Sequence, residues 1–238
     1  MTLSDAEQAN KFFFDYFRAR LEFIQENGLN ENMNQIEGLI LMSCYLDSLA
    51  GYRYGEKSSG KRFRDFVLEF SGQREIWTRV ALPLLEYRLQ AEGKDSMASV
   101  VRSMGTEVES RMRTYEEDLR YGDMLEKIYD SNERQWFERE AKSVKGYEYV
   151  SILWERYRCK SVHEASSDPD RAESLHGEKN MPFYAQYLDE PKPGLILSSE
   201  WHFCIPNVFI YSTLTNCMSN FESYVKSNGL DIRQLARQ

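Results

Sequence analysis

The chain has 238 residues and a formal net charge of −8, with 42% hydrophobic and 29% charged residues. This composition is ordinary for a globular protein, and the acidic balance argues against a protein that coats nucleic acid, because such proteins need a basic face. An enzyme with a locally basic cleft remains compatible with it. The N-terminus lacks the pattern of a signal peptide, and no apolar run is long enough to span a bilayer. We therefore expect a cytoplasmic protein without membrane contact.

The cysteines and histidines are too widely spaced to form a disulfide framework or a metal site. The motifs of P-loop proteins, zinc proteases and serine hydrolases are also absent. The sequence therefore predicts reduced thiols, no metal and no cofactor. The four cysteines are Cys44, Cys159, Cys204 and Cys217.

Helical periodicity predicts two long helices at the start of the chain. Ser4, with Glu7 three residues later, forms a capping-box pattern and begins a helix over residues 5–27. A second helix, over residues 35–54, is apolar on most sides, which predicts a central position in a helical bundle. Asp47 lies inside this helix, where a carboxylate is costly without a partner. Either it bonds to a neighbouring helix, or it orients Arg158 or His163 of the motif described below.

The next segment is basic. Residues 55–60 have turn composition, and a short helix with an apolar inner face follows. Lys61, Arg62 and Arg64 lie at its start, where cations oppose the helix dipole. They either form a solvated face with acidic neighbours or contact RNA phosphates.

Residues 74–91 predict another helical stretch, which is kinked or restarted at Pro83. From residue 92 to residue 145 charged residues dominate and apolar residues are sparse. We expect one or two peripheral helices here, as an insertion that serves as a solvated arm or as a partner-binding surface.

Residues 147–165 predict an amphipathic helix that ends in a cluster of cations. Arg158 and His163 form an R-x4-H pair, and Glu164 follows the histidine directly. Arginine offers a planar cation that suits phosphate, and histidine exchanges protons near neutral pH. Cleavage of RNA by its own 2′-hydroxyl needs both kinds of group. The alternative is that His163 interacts with the helix C-terminal dipole and Arg158 pairs with a surface carboxylate.

The run YRCKSVHE, residues 157–164, resembles the R-x4-6-H motif of HEPN-domain proteins. The resemblance implies an up-and-down helical bundle, a homodimer in which two motifs line one cleft, and metal-independent ribonuclease activity. It also implies a defence or toxin system, with RNA and an antitoxin or other protein as candidate partners. Cys159 stands where the best-known nucleases of this family often have a small polar residue.

Residue roles follow from the same resemblance. Arg158 and His163 would be catalytic. The supporting residues would be Asp47, Glu164 and Ser161, and the candidate RNA contacts would be Lys160, Arg156, Lys61, Arg62 and Arg64.

The spacing of the motif bears on its geometry. Residues five apart on an ideal α-helix point about 140° apart. Arg158 and His163 therefore converge on one phosphate only if the last turn unwinds or a second protomer contributes the complementary residue. This geometry also favours a homodimer.

The C-terminal third predicts two strands, over residues 183–188 and 195–199, joined by a turn, with Trp201 to Phe203 as packing residues. A final helix begins at Pro206 or Asn207 and ends at Gly229. Together the patterns predict one mainly helical domain over residues 1–238, with a small β-hairpin before the last helix. If the motif is not catalytic, the chain is a helical module that binds a protein, a nucleotide or RNA.

Overall fold

The computed structural model describes residues 4–29, 35–105, 112–159, 172–173, 180–188 and 199–235, and these are mainly helical. The helices are α1 (Asp5–Phe23), α2 (Gln35–Arg53), α3 (Ser59–Phe70), α4 (Arg74–Trp77), α5 (Leu82–Ala91), α6 (Asp95–Met104), α7 (Tyr121–Lys127), α8 (Ser131–Arg139), α9 (Ala141–Lys145), α10 (Tyr149–Ile152), α11 (Asn207–Ser227) and α12 (Ile232–Leu235). The strands are β1 (Arg79–Val80), β2 (Met112–Thr114), β3 (Leu119–Arg120), β4 (Ala172–Glu173), β5 (Phe183–Leu188) and β6 (Ser199–Cys204). Two stretches are π-helical, Ile24–Gly28 after α1 and Leu153–Cys159 after α10; we call the second one the π segment.

The predicted capping box at the start of α1 is confirmed. The backbone N–H of Glu7 donates to Ser4 Oγ (3.3 Å), and the backbone N–H of Ser4 donates to Glu7 Oε2 (2.6 Å). Both bonds satisfy donors that a helix start leaves without intrahelical partners. The helix therefore begins where the sequence places it.

The main core lies between α1, α2, α3, α11 and the π segment. Phe221 of α11 meets three rings edge-on, Phe14 at 6.0 Å, Phe66 at 5.5 Å and Phe70 at 5.4 Å between centroids. Each buried phenylalanine stabilises the fold by about 1.5–3 kcal/mol. α2 packs against α3, α11 and the π segment, so its predicted central position is confirmed.

The strand pair before α11 differs in part from the prediction. β5 has the predicted bounds, but its antiparallel partner β6 begins at Ser199, and Phe183 lies opposite Cys204. Residues 195–198 lie outside the described residues. Phe203 of β6 is fully buried, with its ring 4.6 Å from that of Tyr149 and 5.1 Å from that of Tyr184. Because the ring of Phe203 is buried in the core, β6 continues to Cys204, beyond the apolar run of residues 195–199 that predicted the strand.

Residues 92–105 and 112–145 contain four helices, α6 to α9, whereas the sequence predicts one or two peripheral helices. Helices α6 to α9 pack with α5 around a second hydrophobic cluster. Pro83 lies in the first turn of α5, so of the two predicted alternatives, a kink or a new helix at Pro83, the structure shows the new helix. The cluster consists of Val80, Leu82, Leu85, Leu89, Ala98, Val101, Met104, Met124, Ile128, Phe137 and Val144. Its apolar residues are spread over several short helices, and for this reason no long periodic pattern marks them in the sequence.

A buried carboxylate joins the two cores. Asp118 is fully buried; its Oδ1 accepts the backbone N–H of Leu82 (3.1 Å), and its Oδ2 accepts the hydroxyls of Tyr149 (2.5 Å) and Tyr184. Burial, together with the charge of Asp118, holds the pKa of Tyr149 well above its ordinary value. This hydroxyl therefore remains a hydrogen-bond donor. Leu82 belongs to the second cluster and both tyrosines to the main core.

None of the four cysteines, all of which lie in the described residues, forms a disulfide. Cys204 and Cys217 are buried, whereas Cys44 and Cys159 are partly exposed. None of the described helices combines the length and the apolar character needed to cross a membrane.

Candidate functional site

Asp47 is the centre of a two-arginine cluster. It lies on α2 and is 7% exposed. Its Oδ1 accepts Arg62 Nε (3.2 Å) and Arg62 Nη2 (3.1 Å), and its Oδ2 accepts Arg158 Nη2 (2.8 Å). Charge-assisted bonds of this kind are stronger than neutral ones. Asp47 therefore contacts the neighbouring helix α3 through Arg62 and the π segment through Arg158.

This cluster lines an open groove of about 520 Å³. Two guanidinium groups and one carboxylate leave one positive charge in the wall. A guanidinium has five N–H donors, so Asp47 cannot accept from all the donors of Arg62 and Arg158. The groove therefore has the charge and the donors to hold an oxyanion. Its other lining residues are Cys44, Ser48, Gly51 and Tyr52.

The ring of Trp154 packs against the guanidinium of Arg158. The guanidinium carbon of Arg158 lies 4.7 Å from the centroid of the Trp154 ring, a cation–π contact. Trp154 packs in turn against Phe63 of α3, with 5.1 Å between the ring centroids. Asp47 and Trp154 thus hold the Arg158 guanidinium from two directions.

Gly60 makes room for this tryptophan. It lies in the first turn of α3, not in the turn that the sequence predicts. A Cβ at this position would be 2.8 Å from Trp154 Nε1 and 3.2 Å from Trp154 Cδ1. The first distance is shorter than van der Waals contact permits, so any other residue here displaces the ring.

We expect Gly60→Ala to lower the free energy of unfolding by about 1–3 kcal/mol, the usual effect of overpacking a filled site. Gly122→Ala is the matched control, because a Cβ on Gly122, in helix α7, would have no neighbour within 4 Å. The control should be neutral or stabilising, since alanine favours a helix by roughly 0.5–1 kcal/mol. Urea denaturation of both variants measures the difference. A Gly60→Ala protein as stable as the control would contradict the steric argument.

Three other predicted RNA contacts, Arg64, Arg156 and Lys61, do not line this groove. Arg64 pairs with Glu148, a carboxylate that is 3% exposed. Burial raises the pKa of Glu148, and the nearby Arg64 opposes that rise. The guanidinium of Arg156 lies over the ring of Tyr147 (5.3 Å) and lines a separate groove of about 500 Å³. Lys61 is exposed on α3. Arg62 is thus the member of the basic cluster Lys61, Arg62 and Arg64 that lines the groove.

Four members of the predicted site lie outside the described residues. They are Lys160, Ser161, His163 and Glu164. Their place relative to Arg158 stays a prediction.

Cys44 shares the groove wall with the charged cluster. Burial raises the pKa of its thiol, Arg158 opposes that rise, and Asp47 adds to it. No sequence pattern marked Cys44, Tyr52 or Trp154 as site residues. The spacing could have predicted the contact of Trp154, because Trp154 precedes Arg158 by four residues, about one helical turn, and the two side chains therefore lie on the same face.

Comparison with known proteins found no matching family model, no matching curated protein and no matching solved structure. Among the described residues, no group of three or more His, Cys, Asp or Glu side chains could hold a metal ion. The chemistry proposed below therefore rests on the groove and on the sequence motif.

Proposed function

We propose that this chain is a metal-independent RNA endonuclease of the HEPN type, acting in the cytoplasm, with the scissile phosphate bound in the groove of Asp47. The observation that carries the proposal is the position of Arg158. It lies on the wall of an open groove, 2.8 Å from a buried carboxylate, with Arg62 on the same carboxylate. The resemblance of residues 157–164 suggests the reaction and a role in a defence or toxin system.

Each group would have a distinct task in the reaction. His163 takes the proton of the 2′-hydroxyl, whose oxygen attacks the adjacent phosphorus. The bond from phosphorus to the 5′-oxygen breaks, and that oxygen leaves as a 5′-hydroxyl with a proton from water, while His163 releases its proton to water. Arg158 stabilises the negative charge that gathers on the phosphoryl oxygens, while Asp47 holds the guanidinium in place. The products are a 2′,3′-cyclic phosphate and a 5′-hydroxyl end.

A second function, binding of RNA or a nucleotide without cleavage, is favoured by one observation. Both arginines are held by Asp47, and this arrangement can bind an oxyanion without any proton transfer. Such a module would bind RNA in the same groove and would leave it intact.

Incubation with RNA in excess chelator separates the two functions. We expect cleavage without added metal, products that end in a 2′,3′-cyclic phosphate, and no cleavage of DNA, which lacks the 2′-hydroxyl. Gel analysis of RNA and DNA of the same sequence, with end-group analysis of the products, measures this. Cleavage that requires magnesium or cuts DNA equally well would contradict the mechanism, and RNA binding without cleavage would support the second function.

A further inference from the structure

An apolar stripe lies on the outer face of α1. Of the five large hydrophobic side chains that are exposed among the described residues, three lie on this helix: Phe12 (77% exposed), Tyr16 (46%) and Phe23 (44%). Ala19, between them, is also exposed. Large apolar side chains grouped on one exposed face mark interaction sites more often than scattered ones do.

The spacing of the stripe is that of a coiled-coil seam. Residues 12, 16, 19 and 23 are separated by four, three and four positions, which is the alternation of d and a positions in a heptad. The opposite face of the helix is already used, since Phe14, Phe17 and Leu21 are buried in the main core. The stripe therefore lies on the face of α1 that the main core leaves exposed.

We propose that this stripe is the contact between two copies of this chain, with α1 packed parallel to α1 of the second copy about a two-fold axis. Two-fold dimers use the same patch on both subunits, so the patch must be complementary to itself. The stripe meets this condition, because each apolar layer faces its own equivalent. This proposal rests on the surface of α1 and not on the proposed RNA chemistry.

Charges beside the stripe decide the orientation. Asp15 and Glu22 precede the a-position residues Tyr16 and Phe23, and Arg20 follows the d-position residue Ala19. In a parallel pair, a residue before an a position faces the residue five positions later in the other copy, so each Asp15 faces an Arg20. An antiparallel pair would bring the acidic flank of one copy against the acidic flank of the other.

Asp15 has local partners but can accept another donor. It accepts Lys11 (2.5 Å) and Arg18 on its own helix, and its side chain is still 43% exposed. Arg20 is exposed, with its guanidinium carbon 5.0 Å from the centroid of the Tyr16 ring. The ionic contact between the copies would therefore form at the edge of the seam.

The seam also lies close to the candidate site. Phe13 of α1 packs edge-on against Tyr52, with 4.6 Å between the ring centroids, and Tyr52 lines the groove of Asp47. Association through α1 would thus place the second copy beside this groove.

Sedimentation of the full chain, without RNA, tests the surface. We expect a dimer at micromolar concentration. Association should be weaker by about 100-fold or more for Phe12→Glu, which removes two buried phenylalanines per dimer. Tyr129→Glu is the matched control, since Tyr129 is 96% exposed and lies between α7 and α8; its dimer should be unchanged. A monomeric wild type, or a dimer that survives Phe12→Glu, overturns the proposal, and either result is separate from any result on RNA cleavage.

Disulfide trapping tests the orientation. In the parallel pair, residue 19 lies opposite itself, so Ala19→Cys should form a disulfide-linked dimer on mild oxidation. Two controls measure random crosslinking. They are Ser99→Cys, at an exposed position on α6, and the wild-type protein. Crosslinking of Ala19→Cys no greater than that of the two controls overturns the parallel arrangement.

Discussion

Replacing Arg158 by alanine is expected to lower the rate of RNA cleavage by about 10² or more, the usual effect of removing a group that stabilises transition-state charge. The substitution removes the cation that Asp47 and Trp154 hold at the groove. Arg62 keeps its bond to Asp47, so the buried carboxylate retains one partner and the fold should persist. Single-turnover cleavage in chelator measures the rate, and thermal unfolding checks the fold.

Arg156→Ala is the matched control. Arg156 lies two residues earlier on the same π segment, but its guanidinium contacts Tyr147 and lines a different groove. Its loss removes the same charge from the same segment and should leave the rate within a few-fold of wild type. Equal losses for both variants would point to a general charge effect instead of a phosphate contact at Arg158.

His163→Ala should also lower the rate by about 10² or more, because it removes the group that takes the 2′-hydroxyl proton. If cleavage survives both His163→Ala and Arg158→Ala, the proposed mechanism is wrong. Loss of RNA binding with Arg158→Ala, in a chain that never cleaves RNA, would favour the non-catalytic module.

The long helices could be predicted because their signals are local. A capping box begins α1, continuous apolar character marks α2, and Gly229, with φ +59°, follows α11. These features depend on residues within a few positions of one another. The short helices of residues 92–145 have no such signal, since their stability comes from a cluster shared between several elements.

The candidate site could be predicted only in part. A carboxylate inside an apolar helix requires a partner, and this cost predicts a bond from Asp47 without naming the donor. Arg158, 111 positions away, was one of the candidates, and it entered through the motif and not through the burial of Asp47. The π-helical form of residues 153–159 was not predicted, because the expected amphipathic pattern is that of an α-helix. The fit of Gly60 beneath Trp154 depends on how α3 and the π segment pack, and no local pattern encodes that contact.

Replacing Asp118 by alanine is expected to lower the free energy of unfolding by about 3 kcal/mol or more. Three buried donors lose their acceptor: the N–H of Leu82 and the hydroxyls of Tyr149 and Tyr184. A buried donor without an acceptor costs about 1–3 kcal/mol. The two hydroxyls also bond to each other, so one of them can still be satisfied. The loss would be a large part of a domain's total stability of about 5–15 kcal/mol.

Two further variants separate the buried network from a general effect of losing an aspartate. Asp123→Ala removes a 39% exposed carboxylate that pairs with Arg120, and an exposed pair contributes at most about 1 kcal/mol. Asp118→Asn keeps the size and one acceptor oxygen, so its loss should lie between the two. Urea denaturation of all three gives the order. If Asp118→Ala were no less stable than Asp123→Ala, the buried carboxylate would not hold the two cores together, and their contact would depend on apolar packing alone.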